Sequence, residues 1–383
     1  MPRRVFITVA EVSGDRHAAE LIRALRARDP GISVQGVGGP RMLEAGADII
    51  HETVGAAAMG WRGALRAIEV FKLLKRVRKL YLENPPHLHI CIDSSAMNIP
   101  FAKLAHSFGI PVLYYIAPQL WASREGRIAK LRRYVDRVAC ILPFEEEYFR
   151  RHGVNATFVG HPLFDEIPHR RNGSPPGTPG GLPPVVGIIP GSRRGEVLAN
   201  LPHLMDVAER ITRSLPGTRF LMPTTSETHA VVTSLGGRSP NCEIRLDGFD
   251  DLIPQCQLCL CKSGTSTLHV AVYGVPMIVV YRVNPLIWHL AARWMVKTRK
   301  IALVNILAGN VDLVPEFVPW YGSNEPVARC AVEMLRHPRV LQDQRHKLLH
   351  LVRSLDHAGA SANTAKLALA MMQSEAPTVV PTA

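Results

Sequence analysis

The amino-acid sequence predicts an α/β protein with two Rossmann-like, doubly wound domains. Short runs rich in β-branched residues alternate with helical patterns along most of the chain, which is typical of parallel sheets covered by helices. The alternation stops at residues 173–184, a segment dominated by glycine and proline, and it resumes after that segment. A length of 383 residues fits two domains better than one. We therefore expect a linker at 173–184.

Each predicted strand of the first half is a short apolar run that ends in a turn. The run at 5–9 is followed by a helical pattern at 16–27, and the run at 87–92 by one at 98–107. The other strands of this half are expected at 33–37, 112–116, 138–142 and 157–159.

The second half repeats the pattern. Helices are expected to start near Gly195 and Thr265, and residues 324–373 have a helical pattern. Open α/β sheets bind their ligands at the carboxyl ends of the strands, so we expect the functional residues in the loops after strands, around a cleft between the domains. Strands are expected at 185–189, 219–222, 243–246, 257–261 and 277–281.

Composition excludes several classes of protein. A hydrophobic fraction of 47% with 20% charged residues excludes a disordered or collagen-like chain. No run approaches the roughly 18 apolar residues that a membrane-spanning helix requires. The first apolar run ends at Glu11 and Asp15, so we interpret it as a strand and not as a signal peptide. We expect the protein to be cytoplasmic.

The seven cysteines are scattered and odd in number, which agrees with a reducing compartment. Cys256, Cys259 and Cys261 lie in an apolar run, and no second group of ligands follows them. We therefore predict that they pack in a buried strand and bind no metal.

A net charge of +13 favours an anionic partner, either nucleic acid, an acidic membrane or a phosphorylated small molecule. Residues 61–81 and 286–297 are basic and amphipathic, which suits an anionic bilayer surface. The alternative for each is an ordinary helix packed on a sheet, although two such segments together favour membrane contact. The apolar stripe of the first consists of Leu65, Ile68, Phe71, Leu74 and Val77, broadened by Val70 and Leu73.

Two loops of the first half carry polar residues after a strand. In residues 10–15, Gly14 permits a close approach of the backbone, and Ser13 and Asp15 fit equally well as ligand contacts or as helix caps. Asp93 follows the apolar strand at 87–92, where partial burial would favour a general base and the alternative is a cap. A third loop at 36–42 contains three glycines and fits an ordinary turn.

Two loops of the second half are suited to phosphate. Arg193 and Arg194 flank the predicted start of a helix, where the guanidinium fork and the helix dipole both favour a diphosphate. Ser263, Gly264 and Thr265 form either an anion-binding turn or a plain helix cap. No acidic metal-binding pattern accompanies these loops, so we expect neither a metal nor a cofactor.

The order and spacing of these and several further motifs resemble the lipid-A-disaccharide synthase family, from about Val5 to about Pro319. Each motif is short and unspecific alone, and their combination is specific. The motifs are Ser13-Gly14-Asp15, Gly36-Val37-Gly38-Gly39-Pro40-Arg41-Met42, Ala58-Met59-Gly60, Ile92-Asp93, Ala117-Pro118 with Trp121, Leu142-Pro143-Phe144-Glu145, Phe158-Val159-Gly160-His161-Pro162, Pro190-Gly191-Ser192-Arg193, Ser263-Gly264-Thr265, Gly274-Val275-Pro276-Met277, Tyr281-Arg282 and Asn305-Ile306-Leu307-Ala308-Gly309.

The resemblance implies the two-domain GT-B glycosyltransferase architecture. It implies a reaction that joins UDP-2,3-diacylglucosamine to the 6-hydroxyl of 2,3-diacylglucosamine 1-phosphate, with inversion and release of UDP. It also implies a Gram-negative source and a peripheral location on the inner membrane. The implied domains are an acceptor- and membrane-facing domain at 1–172, a donor domain at 185–340, and helices at 341–373 that return to the first domain.

The resemblance also implies roles for individual residues. Asp93 matches the essential aspartate, the general base that takes the proton of the acceptor hydroxyl. Arg193 matches the arginine on the UDP phosphates, and Asn305 matches an asparagine near the donor. Glu11, Ser13 and Asp15 match the amino-terminal substrate loop.

The chain departs from the family pattern at four positions. His269 stands where many members have a glutamate that would hold the ribose hydroxyls, and we keep it among the substrate-binding residues. Ala96, Gly63 and Asn310 replace an aspartate, a glutamate and an arginine. These changes bear on donor orientation and on the choice of acyl chains.

Other functions remain open at this stage. One is another cytoplasmic UDP-sugar transferase or an epimerase of the same fold, because a fold does not fix a function. Another is a non-catalytic protein that binds anionic lipid or nucleic acid. An aromatic content of 6% and the lack of a recognisable nucleic-acid module disfavour nucleic acid.

Overall fold

The computed structural model describes residues 2–53, 63–121, 125–166, 183–236, 241–283, 300–357 and 359–374. The chain divides into two compact units. The first comprises Met1–Ile167 together with Leu355–Ala383, and the second comprises Pro168–Ser354.

The first unit contains a seven-stranded parallel sheet in the order β3-β2-β1-β4-β5-β6-β7. Its strands are β1 (Arg4–Thr8), β2 (Ser33–Gly38), β3 (Asp48–Glu52), β4 (Leu88–Ile92), β5 (Val112–Tyr115), β6 (Arg137–Cys140) and β7 (Ala156–Phe158). Its helices are α1 (Val12–Arg28), α2 (Pro40–Glu44), α3 (Gly63–Glu83), α4 (Ser95–Ser107), α5 (Ile128–Tyr134), α6 (Pro143–Arg151), α7 (Leu163–Glu166) and, from the end of the described chain, α15 (Ala360–Ser374).

The second unit contains a six-stranded parallel sheet in the order β10-β9-β8-β11-β12-β13. Its strands are β8 (Val185–Ile189), β9 (Arg219–Thr224), β10 (Cys242–Leu246), β11 (Leu258–Lys262), β12 (Met277–Arg282) and β13 (Glu316–Trp320). Its helices are α8 (Arg194–Ser214), α9 (His229–Gly236), α10 (Phe249–Leu252), α11 (Ser266–Val272), α12 (Leu303–Leu307), α13 (Glu325–Arg336) and α14 (Pro338–Leu355), whose last residue belongs to the first unit.

Both sheets are buried on their two faces, which is why their central strands are almost wholly apolar. All five residues of β4 are buried, as are four of the five in β8 and in β11. Parallel strands read as continuous apolar runs when helices cover both faces of the sheet. The predicted fold class is confirmed, and the predicted strands are found within a few residues of their expected bounds.

The sequence prediction missed β3 and β13, each of which is one of the two edge strands of its sheet. β3 begins with Asp48, ends with Glu52 and is only half-buried, so no apolar run marks it. β13 contains Pro319, which argues against a central strand and is tolerated at an edge. The predicted packing of the cysteines is confirmed, since Cys256, Cys259 and Cys261 are buried at or beside β11.

The described chain returns to the first unit later than predicted. Residues 341–354 of the predicted returning helices belong to the second unit, and only α15 packs on α1 in the first. The Asp165 carboxylate fixes the start of α15 by accepting hydrogen bonds from the N–H groups of Gly359, Ala360 and Ser361 at 2.6, 3.1 and 2.9 Å. Residues 173–182 of the predicted linker lie outside the described residues.

The described part of the chain contains no helix that is both long enough and apolar enough to cross a bilayer. The predicted amphipathic segment at 286–297 lies outside the described residues, and the segment at 61–81 corresponds mainly to α3. The predicted apolar stripe is correct in part. Val70, Leu73, Leu74 and Val77 pack on the core together with Tyr81, whereas Ile68 and Phe71 are exposed on the opposite side.

Glu145 is a buried carboxyl at the start of α6. It accepts hydrogen bonds from the indole Nε1–H of Trp121 at 3.0 Å and from the N–H of Leu142 at 3.2 Å. The Trp121 ring stands edge-on to Phe144, with the ring centroids 5.0 Å apart. Burial raises the pKa of Glu145 to about 7, although the two N–H donors oppose that rise. Two motifs of the family resemblance, the one with Trp121 and the one at 142–145, therefore form one cluster around a buried carboxyl.

We expect Glu145 to make stability depend on pH between 4.5 and about 7. The folded protein binds this proton more tightly than the unfolded chain does, so the free energy of unfolding falls as pH rises through this interval and then levels off. The change is at most about 3 kcal/mol. Urea unfolding at several pH values should show it in the wild type and not in Glu145→Gln.

Glu147→Gln is the matched control, because Glu147 lies on the same helix, is exposed and pairs with Arg151 at 2.7 Å. It should leave the pH dependence unchanged. A difference between wild type and Glu145→Gln that is constant with pH would contradict the assignment.

Candidate functional site

The strand order of each sheet reverses direction at one place, between β1 and β4 in the first unit and between β8 and β11 in the second. At such a point the two loops that leave the carboxyl ends run in opposite directions and open a crevice, where α/β sheets bind ligands. Asp93, Arg193 and Ser263 lie in the loops after these strands, and Gly14 lies in the first turn of the helix that follows β1. Each unit therefore has one candidate site.

Asp93 lies at the carboxyl end of β4 and is half-buried. Its main-chain N–H donates to the carbonyl oxygen of Tyr115 at 3.1 Å, and its Oδ1 accepts from the N–H of Ser94 at 2.7 Å. Gly14, in the first turn of α1, lies next to Asp93, because a Cβ atom placed on Gly14 would lie 4.0 Å from the Cβ of Asp93, an ordinary contact, and 2.8 Å from Cγ1 of Val9. Glycine at this position avoids a clash with Val9.

Asp15 has a structural role in place of the predicted contact with substrate. It is 1% exposed, and its carboxylate accepts hydrogen bonds from the N–H groups of Gly39, Arg41 and Met42 at 2.9, 2.9 and 3.2 Å. Through these bonds the Asp15 carboxylate holds the start of α2 in place. Of the other predicted members of this loop, Glu11 is half-buried and Ser13 is exposed.

The loop after β8 presents its arginines to solvent. Arg193 is the residue before α8, and Arg193 and Arg194 are both exposed. Gly191 has φ +133°, a left-handed conformation in which the loop packs on Glu196, and the Ser192 N–H donates to Glu196 Oε2 at 3.2 Å. The 21-residue α8 adds the partial positive charge of its amino terminus.

Lys262 is a functional candidate that the sequence reasoning did not select. It ends β11, and its Nζ lies 2.8 Å from Oε1 of Glu196 and 5.0 Å from the centre of the Tyr281 ring. The side chains of Lys262 and Glu196 are only 13% and 19% exposed. The sequence did contain a signal for selecting it, namely a lysine that directly follows an apolar run and precedes a Ser-Gly-Thr turn.

A cavity of about 390 Å³ lies beside these charges and has the size of a small-ligand site. Arg193, Glu196, Tyr281 and Arg282 line it, with Asn200 at its base. The carboxamide oxygen of Asn200 accepts the Arg282 N–H at 2.9 Å, which ties α8 to the end of β12. We call this cavity with Arg193, Arg194 and Lys262 the phosphate pocket.

Two other predicted donor contacts have structural roles. The Ser263 hydroxyl donates to the carbonyl oxygen of Ile301 at 3.0 Å. Asn305 is fully buried, where its amide donates to the Val314 carbonyl and to Glu316 and its oxygen accepts the Val314 N–H. These bonds give Asn305 a structural role, and its contact with the donor stays a prediction.

Gly264 and Thr265 remain open to a ligand, since Gly264 is half-buried and Thr265 is exposed. His269 lies one turn further along, stacked on Phe249 with ring centroids 4.1 Å apart and with its Nε2 2.8 Å from Asp250 Oδ1. Its contact with a ribose stays a prediction. Within the described ranges no three His, Cys, Asp or Glu side chains are placed to hold a metal ion.

Comparisons with known proteins agree on family and fold. Residues 5–371 match the family model described as lipid-A-disaccharide synthetase. The chain is similar to the lipid-A-disaccharide synthase of Trichlorobacter lovleyi, with 36% identity over 378 residues, 97% of this chain and 98% of the relative.

Solved structures resemble the chain at lower identity, which shows the fold alone. MurG of Acinetobacter baumannii covers 96% of this chain and 100% of its own, with 16% identity and a TM-score of 0.56. The UDP-GlcNAc 2-epimerase of Neisseria meningitidis, solved bound to UDP-GlcNAc, covers 98% and 100%, with 11% identity and a TM-score of 0.64.

Proposed function

The chain belongs to the lipid-A-disaccharide synthetase family, and from that premise we propose how its residues carry out the reaction. The resemblance inferred from the sequence motifs is confirmed. The protein is a UDP-sugar-dependent glycosyltransferase that joins UDP-2,3-diacylglucosamine to 2,3-diacylglucosamine 1-phosphate and releases UDP. The residue roles below, the lipid surface and the substrate contacts are our proposal.

The proposed base is Asp93, and the observation that carries this is its position. It is a half-buried carboxylate at the carboxyl end of β4, next to the point where the strand order reverses. As the acceptor hydroxyl attacks the anomeric carbon, its proton passes to Asp93. The new oxygen–carbon bond forms while the bond from that carbon to the diphosphate breaks, and the electron pair leaves with UDP. A single displacement of this kind inverts the anomeric carbon.

The phosphate pocket is proposed to receive the charge of the departing diphosphate. Arg193 and Arg194 can each offer a two-pronged contact to phosphate oxygens, and the amino terminus of α8 adds its dipole. Lys262 is held by Glu196, so the incoming diphosphate competes with a carboxylate that already neutralises it. Fixed positive groups that face developing charge are commonly the largest single contribution to catalysis.

Replacing Asp93 with Asn should lower kcat about 10²–10⁴-fold, the usual contribution of a general base. Binding of UDP to the phosphate pocket should not change. The measurement is mass spectrometry of the disaccharide formed from the two diacylglucosamine substrates, with isothermal titration of UDP.

Asp48→Asn is the control, because Asp48 is an exposed carboxylate of the same sheet, bonded to Gln35. Wild-type kcat in Asp93→Asn would remove the assignment. A separate assay tests the epimerase alternative, with UDP-N-acetylglucosamine supplied alone and its turnover followed by NMR. Turnover would favour an epimerase and is not expected here.

Replacing Lys262 with Met should weaken UDP binding about tenfold or more, because a charge-assisted bond contributes roughly 1.5–3 kcal/mol. Glu196 would then repel the phosphates, so adding Glu196→Gln to this variant should restore part of the affinity. Titration calorimetry with UDP measures both effects.

Lys347→Met is the control for this series, because Lys347 is exposed and pairs with Asp343 at 2.6 Å on α14. UDP affinity that is equal in wild type and Lys262→Met would exclude Lys262 from the pocket.

We further propose that α3 lies on an anionic lipid surface, where acylated substrates reside. Its outer face carries three large apolar side chains, Ile68, Phe71 and Leu82, which are 53%, 58% and 69% exposed. Lysine and arginine side chains lie between these apolar residues on the same face of the helix. Of these, Lys75 has its Nζ 4.7 Å from the centre of the Phe71 ring. A face of this kind suits a headgroup region. The exposed cations of α3 are Lys72, Lys75, Arg76, Arg78 and Lys79.

Phe71→Ser and Lys75→Glu should each reduce sedimentation with vesicles that contain phosphatidylglycerol. Each basic residue near an anionic surface contributes about 1 kcal/mol, so Lys75→Glu should lower the partition coefficient at least fivefold. The exposed Val340 on α14 supplies the control, Val340→Ser. Equal binding of all variants, or binding that is insensitive to salt, would contradict a surface on α3.

A further inference from the structure

The main chain at Asp93 and Ser94 has a conformation that residues with side chains rarely adopt. Their φ angles are +55° and +25°, both in the left-handed region. Residues held in such regions cost roughly 1–3 kcal/mol each and persist only where the surroundings over-determine them. The direction of the Asp93 side chain follows from this conformation, so whatever holds the main chain also aims the carboxylate.

The carbonyl oxygen of Asp93 is the point at which the loop is held. It accepts hydrogen bonds from the Tyr114 hydroxyl at 2.6 Å and from the side-chain amide of Asn98 at 2.8 Å. The same amide nitrogen donates to the carbonyl oxygen of Ile92 at 2.8 Å. Asn98 thus uses both of its amide protons on two consecutive carbonyl groups, which fixes the peptide between them.

Asn98 is in turn oriented by other buried side chains. The Thr8 hydroxyl donates to Asn98 Oδ1 at 2.7 Å, so its oxygen is left to accept from Nε2–H of His89 at 3.0 Å. Nδ1 of His89 then accepts from the Tyr81 hydroxyl at 2.6 Å. Each link has one proton, and all the protons point from Tyr81 toward the Asp93 loop.

Burial restricts this series of hydrogen bonds to a single arrangement of donors and acceptors. Tyr81, His89, Thr8 and Asn98 are all within 2% of complete burial, so water does not replace a lost bond. Burial also lowers the pKa of His89 to about 3, which keeps the ring neutral with a single N–H. The Thr8 oxygen, whose own proton is used on Asn98, assigns that N–H to Nε2. A buried polar group without a partner costs about 1–3 kcal/mol, which disfavours every reversed or broken pattern.

We propose that the buried polar chain Tyr81–His89–Thr8–Asn98 positions the Asp93 carboxylate for the reaction, with Asn98 as the positioning residue. This rests on the proposed role of Asp93 as the base. Asn98 touches the main chain of Asp93 and no substrate, so its loss should lower kcat and leave KM for both sugars nearly unchanged.

The sharpest test compares Thr8→Val with Thr8→Ser. Valine keeps the shape of threonine and removes the hydroxyl, whereas serine keeps the hydroxyl. A catalytic group displaced by about 1 Å can lose about 100-fold in rate, so Thr8→Val should lower kcat at least about tenfold, with KM within about twofold. Thr8→Ser should remain within about threefold of wild type, and Asn98→Ala should lose the most.

Thr218→Val is the matched control, because Thr218 is also fully buried and its hydroxyl donates to the Leu215 carbonyl at 2.7 Å in the second unit. It should lose stability and retain kcat. Wild-type kcat in Thr8→Val, or an equal loss in Thr8→Ser or Thr218→Val, overturns the proposal. The comparison of Thr8→Val with Thr8→Ser tests the proposal even if Asn98→Ala does not fold.

A crystal structure of Thr8→Val separates this proposal from the role of Asp93 itself. Residues 93 and 94 should leave the left-handed region in that variant, and an unchanged loop would refute the positioning. Full activity in Asp93→Asn, in contrast, would refute the role of Asp93 as the general base. The buried polar chain would then have no catalytic role, whatever the conformation of residues 93 and 94.

Discussion

A parallel sheet whose strand order reverses at one point determines where chemistry can occur in each unit. At β1 and β4, and again at β8 and β11, the connecting helices lie on opposite faces, so the loops diverge and leave main-chain groups uncovered. In the first unit this brings Gly14 against Asp93, although the two residues are 79 positions apart in the sequence. In the second unit it brings Lys262 against Glu196.

The two sites differ in how their charged side chains are held. In the first, the main-chain carbonyl of Asp93 accepts hydrogen bonds from the Tyr114 hydroxyl and the Asn98 amide, and its carboxylate accepts one from the N–H of Ser94. The second collects cations and keeps Lys262 paired with Glu196 without any ligand. A buried cation that already has a partner avoids the full cost of desolvation, and a diphosphate can exchange with that partner.

Much of the fold and part of each site could be predicted from the sequence. Central strands are recognisable as apolar runs. Asp93 follows such a run directly, and Arg193 and Arg194 follow another across a short turn. The structural hydrogen bonds of Asp15 and Asn305 could not be predicted, because residue type does not tell whether a polar side chain bonds to the main chain or to a ligand. Lys262 gains its meaning only from Glu196, 66 positions away.

The late return of the chain to the first unit has a consequence for synthesis on the ribosome. α15 packs on α1, and Asp165 caps α15. α1 is synthesised early but gains this packing partner only when α15 has been synthesised. Everything belonging to the second sheet emerges in between. The first unit therefore reaches its final packing only after translation has passed residue 374, and until then α1 lacks the helix that packs on it.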